Sequence, residues 1–157
     1  MKKSLALAAL AALAGAVPSA GAVEEATPFA RWEADHEIVL DARDVTLSDF
    51  HWLARPVVVF ADSAADPRYR QQMQLLMSRP GELAERDVVV IVDTDPDAQS
   101  ALRQTLRPRG FMLVLIGKDG GVKQRKPFPW DVREITRSID KLPLRQQEIR
   151  DRPALGG

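Results

Sequence analysis

Three carboxylates in the stretch VDTDPD, residues 92–97, carry the most obvious chemical potential in this chain. Asp93, Asp95 and Asp97 recur at two-residue spacing directly after the β-branched run Val88-Val89-Val90-Ile91-Val92, and such clusters bind Mg²⁺ or Ca²⁺. In a metal-assisted hydrolase or phosphatase, Asp93 would be the nucleophile and Asp95 the general acid and base. A calcium-loop reading fails twice: its sixth position is Ala98, where a glycine makes the turn, and its twelfth is Gln104, where a bidentate glutamate is required. The Asp-x-Asp pattern also continues to Asp97 where a phosphatase has threonine or valine. A helix beginning at Pro96 with Asp95 as its cap accounts for Asp95 without any metal. The hydrolase reading therefore stands as the alternative, and no metal or other cofactor is expected.

Basic residues make two further candidates. Between Ala61 and Asp66 an apolar strand runs into a helix start, and in open sheets ligands settle at such turns. Free amides there, assisted by Arg68 and Arg70, suit an anion, although Asp66 followed by Pro67 is also a sufficient N-cap. The stretch GKDGGVKQRK contributes Lys118, Lys123, Arg125 and Lys126 to a hairpin, with Lys123 and Arg125 on one face by strand alternation. That face suits an anionic small molecule, a glycan or an acidic envelope protein; lysines also guard sheet edges against association. No catalytic residue is identified. His36 and His51 lie outside any ligand-spaced motif, and Ser63 lacks the nucleophile-elbow glycines. Too few aromatics interleave the charges for nucleic-acid binding.

Composition narrows the classes further. The opening MKKSLALAALAALAGAVPSAGAVEE places Lys2 and Lys3 before an apolar run and ends in Ala20-Gly21-Ala22, the plan of a secretory signal peptide cleaved after Ala22. Export to the periplasm or the extracellular space is the expectation, with no membrane span left after signal removal. The chain contains no cysteine, which excludes disulfides, thiol redox chemistry and thiolate metal sites on these 157 residues. Removal of residues 1–22 leaves 20 basic side chains against 22 acidic ones. The charge is uneven: residues 23–106 carry 8 arginines and 16 acids, whereas residues 107–157 carry 12 basic residues and 6 acids. A basic C-terminal third is consistent with an anionic partner.

These residues need a scaffold, and the pattern of apolar runs supplies one. Residues 23–36 are polar and mixed and read as an extended lead-in. Ile38-Val39-Leu40 reads as a short strand, and residues 45–53 as a turn with Leu47, Phe50 and Leu53 at helical spacing. Val57 to Ala61 shows no polar alternation, as expected of a strand covered on both faces. Asp66-Pro67 starts a helix with Tyr69, Met73, Leu76 and Met77 as its apolar stripe, stopping before Pro80. Val88 to Val92 is a second buried strand, followed by a helix from Asp95-Pro96 with Ala98, Leu102 and Leu106 facing the core. Residues 111–116 and 122–126 form a hairpin through Asp119-Gly120. Asp131 and Glu134 cap a helix carrying Val132, Ile135 and Ile139, with a further turn or short helix over 144–150.

Strand, helix, strand, helix, hairpin, helix is the order of thioredoxin-like proteins. The segment VTLSDF, residues 45–50, followed by RPVVVF resembles the opening of peroxiredoxins. In that register Tyr69 occupies the cysteine position, and the thioredoxin register places its two cysteines at Ala65 and Arg68. FMLVLIGKDGGV resembles a thioredoxin segment but has Met112 where that family keeps a cis-proline. RPVVVFA, the helix start DPRYRQ, ERDVVV, GFMLVLIGKDGGVK and EITRSIDKLPLRQQEIR together resemble the domain of unknown function 4174 family, a thioredoxin-like group of secreted bacterial proteins with relatives in animal extracellular proteins.

The resemblance implies an α/β, thioredoxin-like three-layer sandwich around a mixed central sheet, spanning residues 37–151 between the lead-in and a tail at 152–157. It implies no thiol peroxidase or disulfide oxidoreductase activity, and a binding or interaction module as the function. An envelope or matrix structural protein is the third class.

Overall fold

The computed structural model describes residues 24–153. The leader, its Ala22 cleavage site and residues 154–157 of the tail lie outside the described residues. Among the described residues, no helix is long and apolar enough to cross a membrane.

The apolar runs become the middle of a five-stranded sheet. Strands β1 (Val39–Asp41), β2 (Arg55–Phe60), β3 (Val88–Asp93), β4 (Met112–Ile116) and β5 (Val122–Lys126) are ordered β1-β3-β2-β4-β5. The first three in that order run parallel; β4 is antiparallel to β2, and β5 to β4. All six residues of β2 are buried, which is why its sequence shows no polar alternation. Successive side chains serve opposite layers. Val58 and Phe60 join Trp32, Leu40, Phe50, Ile91, Leu102 and Ile116 on one face. Val57 and Val59 join Leu76, Val90, Leu113, Trp130, Ile135 and Ile139 on the other.

Helices α1 (Pro28–Ala34) and α4 (Ala101–Leu106) cover the first face, and α2 (Pro67–Ser78), α3 (Pro80–Ala84) and α5 (Val132–Asp140) cover the second. Helix α6 (Pro143–Asp151) turns back from α5 towards the start of β2. The three-layer, thioredoxin-like architecture expected from the sequence is present.

Four local expectations need correction. Residues 28–34 are helical, because Thr27 accepts the Ala30 amide and Pro28 sits at the first helical position. Trp32 is buried there and donates its indole N–H to the Val88 carbonyl at 3.2 Å. The helix expected from Pro96 is only a single turn of 3₁₀ helix, Pro96–Ala98, without a side-chain cap from Asp95; α4 begins at Ala101 behind the Ser100 cap. Ala98 is consequently exposed. The stripe of α2 is also mixed, since Met77 is exposed and Gln72 is fully buried. Gln72 exchanges two 2.8 Å hydrogen bonds with the Trp130 backbone, locking α2 to the segment before α5. The stretch after β1 forms two separate 3₁₀ turns, Ala42–Asp44 and Leu47–Phe50, with Leu53 exposed beyond them.

Candidate functional site

Strand directions divide the candidate residues between the two ends of the sheet. Phe60 of β2 faces Met112 of β4, whereas Val57 faces Leu115. The Asp66 turn and Asp93 therefore lie at the carboxyl end of β2 and β3. The hairpin tip with Lys118 and Lys123 lies at the opposite end, near Arg55 and Asp87. Arg125 and Lys126 sit farther along β5, facing Val114 and Leu113.

At the carboxyl end the charges are spent on each other. Asp66 accepts the Arg68 backbone amide and both Nε and Nη2 of its guanidinium. The Arg68 side-chain hydrogen bond holds the Asp66 carboxyl below its ordinary range. Arg68 also lies 5.7 Å from the centre of the Phe111 ring. Arg70 lies on the exposed side of α2. Tyr69, at the cysteine position of the peroxiredoxin register, has its phenol pushed up, first by burial and then by Asp41.

Asp93 is buried and accepts Ser100 Oγ at 2.5 Å and Arg103 Nη2 at 2.8 Å. Arg103 reaches on to the Ala61 carbonyl at 3.1 Å, tying the two strand ends together. Asp93 thus orders the turn that Asp95 was expected to cap. Asp95 and Asp97 remain exposed, and among the described residues no group of three carboxylate or histidine side chains is placed to hold a metal ion.

The amino end is different. Arg55 opens β2 and is only 1% exposed, although it is an arginine at a sheet end. It donates to the Arg86 carbonyl and to Glu148 Oε1, both at 2.9 Å. Lys118 Nζ reaches the same Glu148 oxygen at 2.9 Å and Asp87 Oδ2 at 2.7 Å. On α6, Arg145 approaches Glu148 and Asp140, while Arg86 holds Asp140 through two 2.9 Å bonds. Burial opposes ionisation of Glu148 more strongly than any single neighbour favours it. Hydrogen bonds from Arg55 and Lys118, with their charges, together bring its pKa down to about 2. Arg86 likewise holds Asp140 below its ordinary value. This network fastens the polar helix α6 to the sheet.

Beside it lies a cavity of about 270 Å³ lined by Trp52, Arg55, Gly117, Lys118, Asp119, Lys123, Leu142, Pro143 and Leu144. Among the described residues, Nε of Arg55 is buried and lacks a hydrogen-bond partner. Nε of Arg145, outside the lining, is likewise buried without a partner among the described residues, and an unsatisfied buried donor costs about 1–3 kcal/mol. Lys123 folds over Gly117 towards Asp119, which it meets at 2.8 Å. A Cβ at Gly117 would lie 2.6 Å from Lys123 Cε, so glycine is what lets this lysine lie along the rim. The turn itself needs Gly120, whose φ is +80°.

Of the four non-glycine residues with positive φ among the described residues, Gln99 and Arg107 cap short helical turns elsewhere, whereas Trp52 lines the cavity and Asp87 binds Lys118 beside it. Trp52 has φ +64° and Asp87 φ +53°. Aspartate tolerates the left-handed region; a bulky tryptophan does so at a cost of about 1–3 kcal/mol. Trp52 is nevertheless held there by its amide, which donates to the Lys118 carbonyl at 2.7 Å, and its side chain is 60% exposed.

Of the expected binding residues, Lys118 and Lys123 share this cavity. Arg125 instead closes the end of α4 by donating to the Leu106 carbonyl at 2.7 Å, and Lys126 lies 4.9 Å from the Trp130 ring centre. Arg55, Trp52 and Glu148 were not singled out by sequence. Arg55, separated from a valine run by Pro56, reads as a solvated flank, and the Arg86 carbonyl together with Glu148, 93 positions away, makes its burial tolerable.

Comparison with known proteins gives a family and a fold. Residues 46–148 match the family described as Domain of unknown function (DUF4174). Coiled-coil domain-containing protein 80 of Danio rerio is 30% identical over 140 residues, covering 70% of this chain and 16% of that protein. The chain thus spans about a sixth of that relative's length. The reduced 2-Cys peroxiredoxin of Plasmodium vivax superposes with a TM-score of 0.53 at 15% identity, over 67% of this chain and 85% of that one. That likeness shows a peroxiredoxin-like fold in a chain without a cysteine.

Proposed function

The chain belongs to the DUF4174 family, and from that footing we propose that it is an exported, non-redox binding module that recognises an anionic partner through the cavity at the amino end of its sheet. The observation that carries the reading is the lining of that cavity. Arg55, Lys118 and Lys123 border one space, and Arg55 retains a buried N–H without a partner among the described residues. Charge-assisted hydrogen bonds to such donors are stronger than neutral ones and are strengthened by low local dielectric. At the carboxyl end Asp66 and Arg68 pair with each other, and no buried side-chain donor there lacks a partner among the described residues.

A thermal-shift series at constant ionic strength tests the reading. Acetate, benzoate and inorganic phosphate at tens of millimolar are the probes. At least one should raise the melting temperature of the wild-type chain by several degrees through mass action and fail to do so for Lys123→Glu. If no anion protects the wild type, the reading is wrong. Export rests on the leader, and it predicts that protein recovered from the producing cell begins at Val23. Retention of residues 1–22 would overturn that part alone.

A further inference from the structure

The cavity has a second character besides its charge. Apart from Gly117 and the charged groups, its walls are Trp52, Leu142, Pro143 and Leu144, all carbon-rich. Its volume of about 270 Å³ lies just below the roughly 300–1,000 Å³ of drug-sized ligand pockets. That is the scale of one ring bearing an acid group, and well below the space a long peptide or glycan would fill. Such a mixture of apolar wall and few convergent polar groups is how small-molecule sites are built.

The charge balance sets the ligand's valence. Three cations line the space against one carboxylate, Asp119, which is held by Lys123 and by the Gly121 amide. Glu148 and Asp87 neutralise Arg55 and Lys118 from outside the lining. The charges about the space therefore balance, three positive against three negative, and a dianion would meet more repulsion from the nearby Glu148 and Asp119 than a single carboxylate does.

Trp52 supplies the geometric argument. An exposed indole at a left-handed φ gains nothing by burial, yet the fold keeps it against the cavity through the Lys118 carbonyl. His51 reinforces the corner: its ring centre lies 5.0 Å from the Trp52 ring and its Nε2 3.2 Å from the Asp119 carbonyl. Strained residues that persist despite their cost cluster at ligand clamps.

We propose that this cavity is the seat of a small organic monocarboxylate with a flat, apolar body. The carboxylate is received by Arg55 and Lys118, and the ring lies between Trp52 and the Leu142-Pro143-Leu144 corner. This rests on the anion-binding reading above and names its ligand class.

Calorimetric titration with benzoate, its neutral isostere benzamide, acetate and inorganic phosphate separates the two ideas. Benzoate should bind with a dissociation constant of about 1 mM or tighter, as expected of a ligand of its size. The other three should bind at least tenfold more weakly. Trp52→Gly removes the ring while keeping the backbone amide, and glycine accepts the left-handed conformation. This variant should keep or raise the melting temperature and lose at least tenfold in benzoate affinity. A Trp52 that serves only folding would give the opposite pair of results. If acetate or phosphate equals benzoate, or if Trp52→Gly binds benzoate normally, the flat-ligand proposal fails while anion recognition stands. If none of the probes binds, both fail.

Discussion

Glu148 is the residue on which the docking of α6 depends, and Glu148→Gln tests it with little change of shape. Its pKa falls from 4.5 to about 2 in the folded protein. At 1.36 kcal/mol per pKa unit that is roughly 3 kcal/mol of preference for the charged form. The side chain remains 23% exposed, so solvent screening reduces the stabilisation to about 2 kcal/mol. For a domain of this size the corresponding drop in melting temperature is about 8 °C at pH 7. Because the folded pKa is the lower one, the contribution is complete above about pH 5.5 and is lost as pH falls towards 2. Circular dichroism melts of wild type and Glu148→Gln at fixed ionic strength should therefore show a gap that shrinks to under half by pH 3 and closes below pH 2. The comparison between the two proteins cancels the other carboxylates that titrate in this range. Equal stability at pH 7, or a gap that survives at pH 2, would refute the assignment of Glu148 as the ionised hub of the network.

Other perturbations give distinct signatures. Trp32→Ala removes a buried indole and its bond to Val88, and should cost about 3–5 kcal/mol in urea denaturation; a dispensable extended lead-in would cost almost nothing. Asp93→Ala leaves the buried guanidinium of Arg103 without its carboxylate and should destabilise by about 3 kcal/mol. Millimolar Mg²⁺ should leave the wild-type melting temperature unchanged, and stabilisation by Mg²⁺ that Asp93→Asn abolishes would revive the hydrolase alternative. Gly117→Ala should displace the Lys123 end from the rim, lowering anion affinity severalfold while shifting the melting temperature by no more than a few degrees. Unchanged affinity would show that Lys123 does not serve the cavity.

The central strands β2 and β3 were legible as β-branched runs, β4 and β5 through the turn at Asp119-Gly120, and two of the helices because Asp66-Pro67 and Asp131 mark their starts. Thr27-Pro28 carries the same signature, but only the burial of Trp32 reveals that α1 belongs to the core. Asp95-Pro96 misled for the complementary reason. Asp93 draws Ser100 and Arg103 to itself, and this contact delays the helix to Ala101. The cavity was legible in part. Lys118 and Lys123 stand out in a glycine-rich turn, whereas Arg55, Trp52, Glu148 and the Leu142-Leu144 corner are joined only by tertiary packing. No local periodicity reports that an arginine at the start of a strand is buried.

The most direct test of the account is where an organic anion lands. In a benzoate titration of isotopically labelled protein, followed by amide chemical shifts at constant ionic strength, the largest changes should fall on Trp52, Gly117, Lys118, Lys123, Leu142 and Leu144. Changes centred instead on residues 62–70, or no saturable change anywhere, would contradict it.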